Sequence, residues 1–156
     1  MLGVDPRSLA VGWFLVVISI ASLGAEKRAP DPYAETIKRA LELLPRQPSQ
    51  VLVVDATRAA RAADAHGRRV QAFVRHGENV VYLIAQGDTL QRGQKGAGVF
   101  DYVLATIIWH EMAHLAGAGE REAQRQEEVL WAQYLAAGHV DTRRGLNYLA
   151  LLRKRQ

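Results

Sequence analysis

His110, Glu111 and His114 are the residues of this chain whose types and spacing could do chemistry. They stand in the run His110-Glu111-Met112-Ala113-His114, and on a helix residues four apart lie one above the other on a single face. Two imidazoles so placed can aim at one ion. Glu111, beside the first of them, can reach a water on the open side of that ion. A divalent cation, Zn2+ above all, acidifies such a water and the carboxylate takes its proton, which is the chemistry of the H-E-x-x-H arrangement. The alternative is a core helix whose histidines merely hydrogen-bond within the protein. Two histidines and a carboxylate on a buried helix are costly without a partner, so the metal reading is preferred.

That chemistry requires the five residues to be helical, and their surroundings agree. Phe100, Val103, Leu104, Ile107 and Ile108 lie upstream at helical spacing. Leu115 and Ala116 continue the helix, and Gly117-Ala118-Gly119 supplies a stop of the kind that uses glycine at positive φ. Met112 and Ala113 are uncharged, as suits a helix buried on one side.

A catalytic zinc site takes three protein ligands and leaves the fourth position to water. The run from Glu120 to Leu135 predicts a second helix, with Ala123, Leu130, Tyr134 and Leu135 facing inward. The glycine turn folds it back, so carboxylates in its first two turns can approach the histidines. Glu120, Glu122 and Glu127 compete for the third position, and those that do not bind belong to a solvated helix face.

Over about residues 99–135 the chain resembles the zincin metallopeptidases, most closely the compact gluzincin branch. In that branch the third ligand is the glutamate of E-x-x-A-[D/N] on a following helix. The resemblance therefore implies Glu120 as ligand, and gives Gln124, where the family has an acid or asparagine, the task of orienting the first histidine. The interval from His114 to Glu120 is shorter than the usual gluzincin one. His110 through Gly117 is also similar to the metzincin pattern H-E-x-x-H-x-x-G-x-x-H, with Glu120 standing where the third histidine would be and no Met-turn downstream. Both alignments put Glu120 on the metal. The implied fold is a small α+β domain in which a short sheet precedes the active-site helix and a following helix carries the third ligand. The implied activity is hydrolysis of peptide or protein substrates, with Zn2+ as cofactor, Glu111 as general base, and often an edge strand holding the extended peptide. Two other readings stay open. One is a non-catalytic zinc-binding module at the cell envelope, its site closed by a fourth ligand such as Glu127 or His139. The other is a membrane-linked helical interaction protein without metal.

Residues 9–25 form an uncharged apolar run, with Arg7 before it and Glu26-Lys27-Arg28 after it. Its length is marginal for a membrane span, and small residues near 22–25 offer a cleavage point, so 1–25 is read as a signal peptide or, next, an N-terminal apolar anchor helix. A proline-bearing linker follows at 26–32, and 33–156 form one domain, too short for two cores. Either reading places the domain outside the cytoplasm, periplasmic or secreted, with possible membrane association through 9–25. The alternative, a buried first helix of a cytosolic fold, is disfavoured because the run is hydrophobic on all sides and ends in that linker. The chain has no cysteine, which excludes disulfides, thiol catalysis and cysteine-bound zinc.

Within the domain, Tyr33, Ile37, Ala40, Leu41 and Leu44 predict a helix closed by Pro45, and Val51–Val54 a buried strand. Residues 56–65, rich in alanine and arginine, read as a short helix or a crossover. The alternating run 69–74, the turn His76-Gly77-Glu78-Asn79 and the β-rich run 80–84 predict a hairpin. The polar, glycine-rich stretch 86–98 reads as a flap or a plain connector. Asp141-Thr142 can cap a last helix over 143–155, with Leu146, Leu149, Ala150 and Leu152 as its apolar side. The formal charge of +4 is spread over basic pairs and the tail without any nucleic-acid motif, so no nucleic-acid partner is expected. His66, His76 and His139 read as exposed loop residues, and Tyr134 and Tyr148 as packing tyrosines or phenols near an oxyanion.

Overall fold

The computed structural model describes residues 31–56 and 70–154. The apolar run 9–25, most of the linker, nearly all of the stretch 56–65, and His66 lie outside the described residues. Among those described, the order is α1 (Ala34–Glu42), β1 (Val51–Val54), β2 (Ala72–Val74), β3 (Val81–Ile84), α2 (Asp88–Gly93), α3 (Val99–Leu115), α4 (Glu120–Ala136) and α5 (Thr142–Arg153). The class is α+β, with a small sheet ahead of the motif helix, as the sequence predicts. No helix among the described residues is long and apolar enough to cross a membrane.

The sheet has the order β1-β3-β2, with β1 parallel and β2 antiparallel to β3. The expected hairpin is therefore β2–β3, and its second strand sits centrally, all four residues buried. Side chains alternate between faces along a strand. Val81 and Leu83 accordingly enter the main core with Val51 and Ala72, while Tyr82, Ile84 and Phe73 form a smaller cluster on the other face. There Phe73 stacks on Tyr82 at 4.9 Å, and Arg75 lies 4.8 Å over the Tyr82 ring.

The stretch 86–98 corrects one expectation. Instead of a free flap or connector, its first half is α2, which buries Thr89, Leu90 and Gly93. Leu90 is apolar and 2 % exposed, and the Gly93 carbonyl accepts a hydrogen bond from Arg39 at 2.8 Å, so this segment is held to α1. Polar composition concealed one anchoring leucine.

The same guanidinium forks onto Asp101, with Nε 3.0 Å from Oδ2 and Nη2 3.2 Å from Oδ1. Asp101 Oδ2 also accepts the Gly98 N–H at 3.0 Å, closing the first turn of the motif helix. One buried carboxylate thus starts α3 and ties it to α1. Removing it strands the charge of Arg39, so Asp101→Ala is expected to destabilise the protein by about 3 kcal/mol in urea unfolding. A loss below about 1 kcal/mol would mean that the pair is only a screened surface contact.

Helices α3 and α4 form an antiparallel-type helical hairpin around Leu104, Ile108, Leu130 and Trp131, all 3 % exposed or less. The inward set of α4 includes Ala123, Leu130 and Tyr134 as expected, together with Trp131. In α5 the expected apolar side is only half right. Leu149 and Leu152 are buried, but Leu146 is 52 % exposed and Ala150 is exposed. The buried stripe runs instead through Gly145, Leu149 and Leu152. Glycine lets this helix lie against Leu135, and its carbonyl accepts the Trp131 indole N–H at 2.9 Å. Asp141 caps α5 as predicted, accepting the Arg144 N–H at 3.0 Å.

Candidate metal centre

The motif helix ends at Leu115 in a Schellman turn: Ala118 N–H bonds to the Ala113 carbonyl and Gly117 N–H to that of His114, each at 2.9 Å. Gly117 has φ +88°, a left-handed conformation that a Cβ opposes. This turn reverses the chain and begins α4 at Glu120. Gly117→Ala is expected to lower the stability of the metal-free protein by about 1–2 kcal/mol, read from thermal unfolding. An unchanged midpoint would show that the turn is not constrained.

The reversal brings three donor atoms together. His110 Nε2 and His114 Nε2 are 3.1 Å apart, and Glu120 Oε2 lies 3.6 Å from the first and 3.3 Å from the second. Zinc bound at 2.0–2.1 Å in tetrahedral geometry separates its ligands by about 3.3 Å. The three distances match that edge length. Among the described residues, His110, His114 and Glu120 form a group whose donor atoms all fall within 4.8 Å of one another.

The far sides of the rings fix which nitrogens are free. His114 Nδ1 lies 2.9 Å from the Ala118 carbonyl, which only accepts, so Nδ1 carries a proton and the lone pair of the neutral ring is on Nε2. His110 Nδ1 lies 3.1 Å from Glu127 Oε2 and, as donor to that carboxylate, directs the lone pair of the neutral ring to Nε2. Two lone pairs and a carboxylate oxygen then converge on one point. A cation could bridge these donors, and in the metal-free protein a proton shared between the two Nε2 atoms satisfies the same contact. In the metal-free protein a proton competes for this site: burial alone would lower the His110 pKa, but the Glu127 hydrogen bond and the charges of Glu127, Glu111 and Glu120 outweigh that and raise it.

Glu120 is positioned by Gln124, whose amide donates to Oε1 at 2.6 Å and leaves Oε2 for an ion. The expectation that Gln124 orients His110 is thereby corrected. Its amide meets the ligand glutamate one turn away, while Glu127, 3 % exposed, holds the histidine. Glu127 is therefore neither a competing ligand nor a solvated residue, because it lies on the nitrogen of His110 that faces away from Glu120. The spacing could have shown this, since Glu120 and Glu127 are two turns apart on one helix face. Glu122 binds Arg125 and Gln126 and is held near pKa 2 by those contacts, chiefly the Arg125 hydrogen bond. Tyr148, 21 residues beyond Glu127, donates to Glu127 Oε1 at 3.2 Å, and no local pattern marks it.

Glu111 is 9 % exposed on the buried side of the motif helix, and burial, opposed by His110 and His114, pushes its pKa up to about 7. A base near neutrality suits proton transfer at neutral pH. Glu120, with 64 % of its side chain exposed, faces solvent, so the donor cluster is approachable from that side. His139 is exposed and stacks on Tyr102 at 5.9 Å, and His76 is exposed in the turn after β2. Tyr134 gives its hydroxyl proton to the Leu43 carbonyl at 2.7 Å, which places that phenol against the end of α1. No protein-family model, curated protein or solved structure matches this chain.

Proposed function

We propose that the chain is a small zinc-dependent metallopeptidase of zincin type, hydrolysing peptide bonds at the centre formed by His110, His114 and Glu120. The observation that carries this reading is the convergence of two imidazole Nε2 atoms and one carboxylate oxygen at separations of 3.1, 3.3 and 3.6 Å. These donors suit Zn2+, which when bound supplies Lewis acidity to a water and to the substrate carbonyl. Glu111 takes the proton of the attacking water and delivers it to the nitrogen of the leaving amine. In the metal-free protein burial raises its pKa to about 7, a range that suits a general base at neutral pH.

A structural zinc site would need a fourth protein donor. Among the described residues, the two candidates read from the sequence are engaged elsewhere: Glu127 holds the far nitrogen of His110, and His139 stacks on Tyr102. This favours the open, catalytic form over a closed binding module. The apolar run at 9–25 supports placing the domain outside the cytoplasm, exported or membrane-tethered. Fractionation that leaves the full-length chain in the cytosol would remove that placement. The activity is tested with untagged protein on casein and on an unstructured peptide library. Cleavage that is lost with a zinc chelator and restored by zinc supports the proposal, and cleavage insensitive to chelation overturns it.

A further inference from the structure

The last helix reaches the metal centre through one phenol. Tyr148 donates to Glu127 Oε1 at 3.2 Å, and the other oxygen of that carboxylate receives His110 Nδ1 at 3.1 Å. We infer that Tyr148 is a positioning residue for the metal centre, fixing the plane of the Glu127 carboxylate and through it the ring of His110. The inference rests on the reading of His110, His114 and Glu120 as a metal site.

The torsion that turns a carboxylate about its last bond is soft, so one hydrogen bond leaves the group free to tilt. A second donor on the opposite oxygen removes that freedom. Among the described residues no other donor reaches Glu127 Oε1, and the side chain is 4 % exposed, so water is a poor substitute. The Tyr148 ring is itself clamped against Trp131, with centroids 4.4 Å apart. Trp131 is fully buried and its indole N–H holds the Gly145 carbonyl, three residues before Tyr148 on the same helix. Indole, phenol, carboxylate and imidazole therefore form one connected series from the core to a metal ligand. His114 is held differently, by the Ala118 carbonyl of its own turn. The two histidines are oriented by independent parts of the chain, and only His110 depends on α5.

Partners of this kind tune metal affinity by roughly 10–100-fold. The test is a two-by-two comparison of full-length wild type, Tyr148→Phe, Glu127→Gln and the double variant. Zinc affinity is measured by competition with a chromophoric chelator, well below each protein's unfolding temperature. Phenylalanine keeps the ring on Trp131 and removes only the hydroxyl. Tyr148→Phe is expected to weaken zinc binding about tenfold, and to add almost nothing once Glu127 is already Gln. A wild-type affinity in Tyr148→Phe overturns the inference and leaves the metal site standing. An equal loss on both backgrounds also overturns it, since the hydroxyl would then act by general loosening. A wild-type protein that binds no zinc overturns the site and this inference together.

Discussion

Replacing Glu111 by Gln is expected to slow peptide hydrolysis by roughly 10²–10⁴-fold while zinc content stays at the wild-type level. The substitution keeps the shape of a side chain that is 9 % exposed, and removes only its capacity to take a proton. The three donor atoms lie on other residues, so metal binding is untouched. Activity within about threefold of wild type would show that this carboxylate is not the base.

The same substitution has a second, separable effect. In the metal-free protein burial lifts the Glu111 pKa to about 7. Between the ordinary carboxylate range and that value the folded state keeps a proton that the unfolded state has lost, so folding stability falls as pH rises through this window. The loss amounts to about 3 kcal/mol in all, and glutamine does not suffer it. His110 works in the same sense: its raised pKa contributes stability below the ordinary histidine value, which is lost as pH rises through the folded one. Metal-free Glu111→Gln should therefore match wild type near pH 4 and exceed it in stability at pH 8, by urea unfolding. A difference that does not grow with pH would contradict the buried, proton-holding carboxyl. Such a residue is kept against its stability cost, which is what a catalytic assignment requires.

His114→Ala is expected to abolish stoichiometric zinc binding and all hydrolysis. It removes one of three donors and the Nε2 that lies 3.1 Å from His110 Nε2, leaving two ligands that cannot hold the ion against water. Zinc present at a thousand times its Kd stabilises a binding protein by about 4 kcal/mol, so the wild-type unfolding temperature should rise on adding zinc and that of the variant should not. Normal zinc content in purified, untagged His114→Ala would refute the site. Retained metal with lost activity would instead point to His114 as a group acting beside the ion.

The motif helix, its glycine stop and the return of Glu120 could be read from the sequence because each is local. Helical spacing fixes His110 and His114 relative to one another, and Gly117 marks the turn that brings the next helix back. The hairpin β2–β3 was equally readable, from alternation and turn residues. What could not be read depends on contacts between distant segments. Leu90 turns a polar connector into a packed helix only because the main core and the motif helix are there to receive it. The buried side of α5 follows Gly145 rather than its largest apolar residues, since close approach to Leu135 and Trp131 decides the docking. Glu127 sits at a readable spacing, yet whether it binds metal or histidine depends on which ring nitrogen it meets. Tyr148 acquires its role from a helix that docks 38 residues after the histidine it supports.

The most direct measurement is an anomalous difference map at the zinc edge from crystals of the protein grown with zinc. One peak within about 2.0–2.2 Å of His110 Nε2, His114 Nε2 and Glu120 Oε2, with no fourth protein ligand, is the expected result. A map with no peak between these atoms, or one in which Glu127 or His139 closes the coordination, would contradict it.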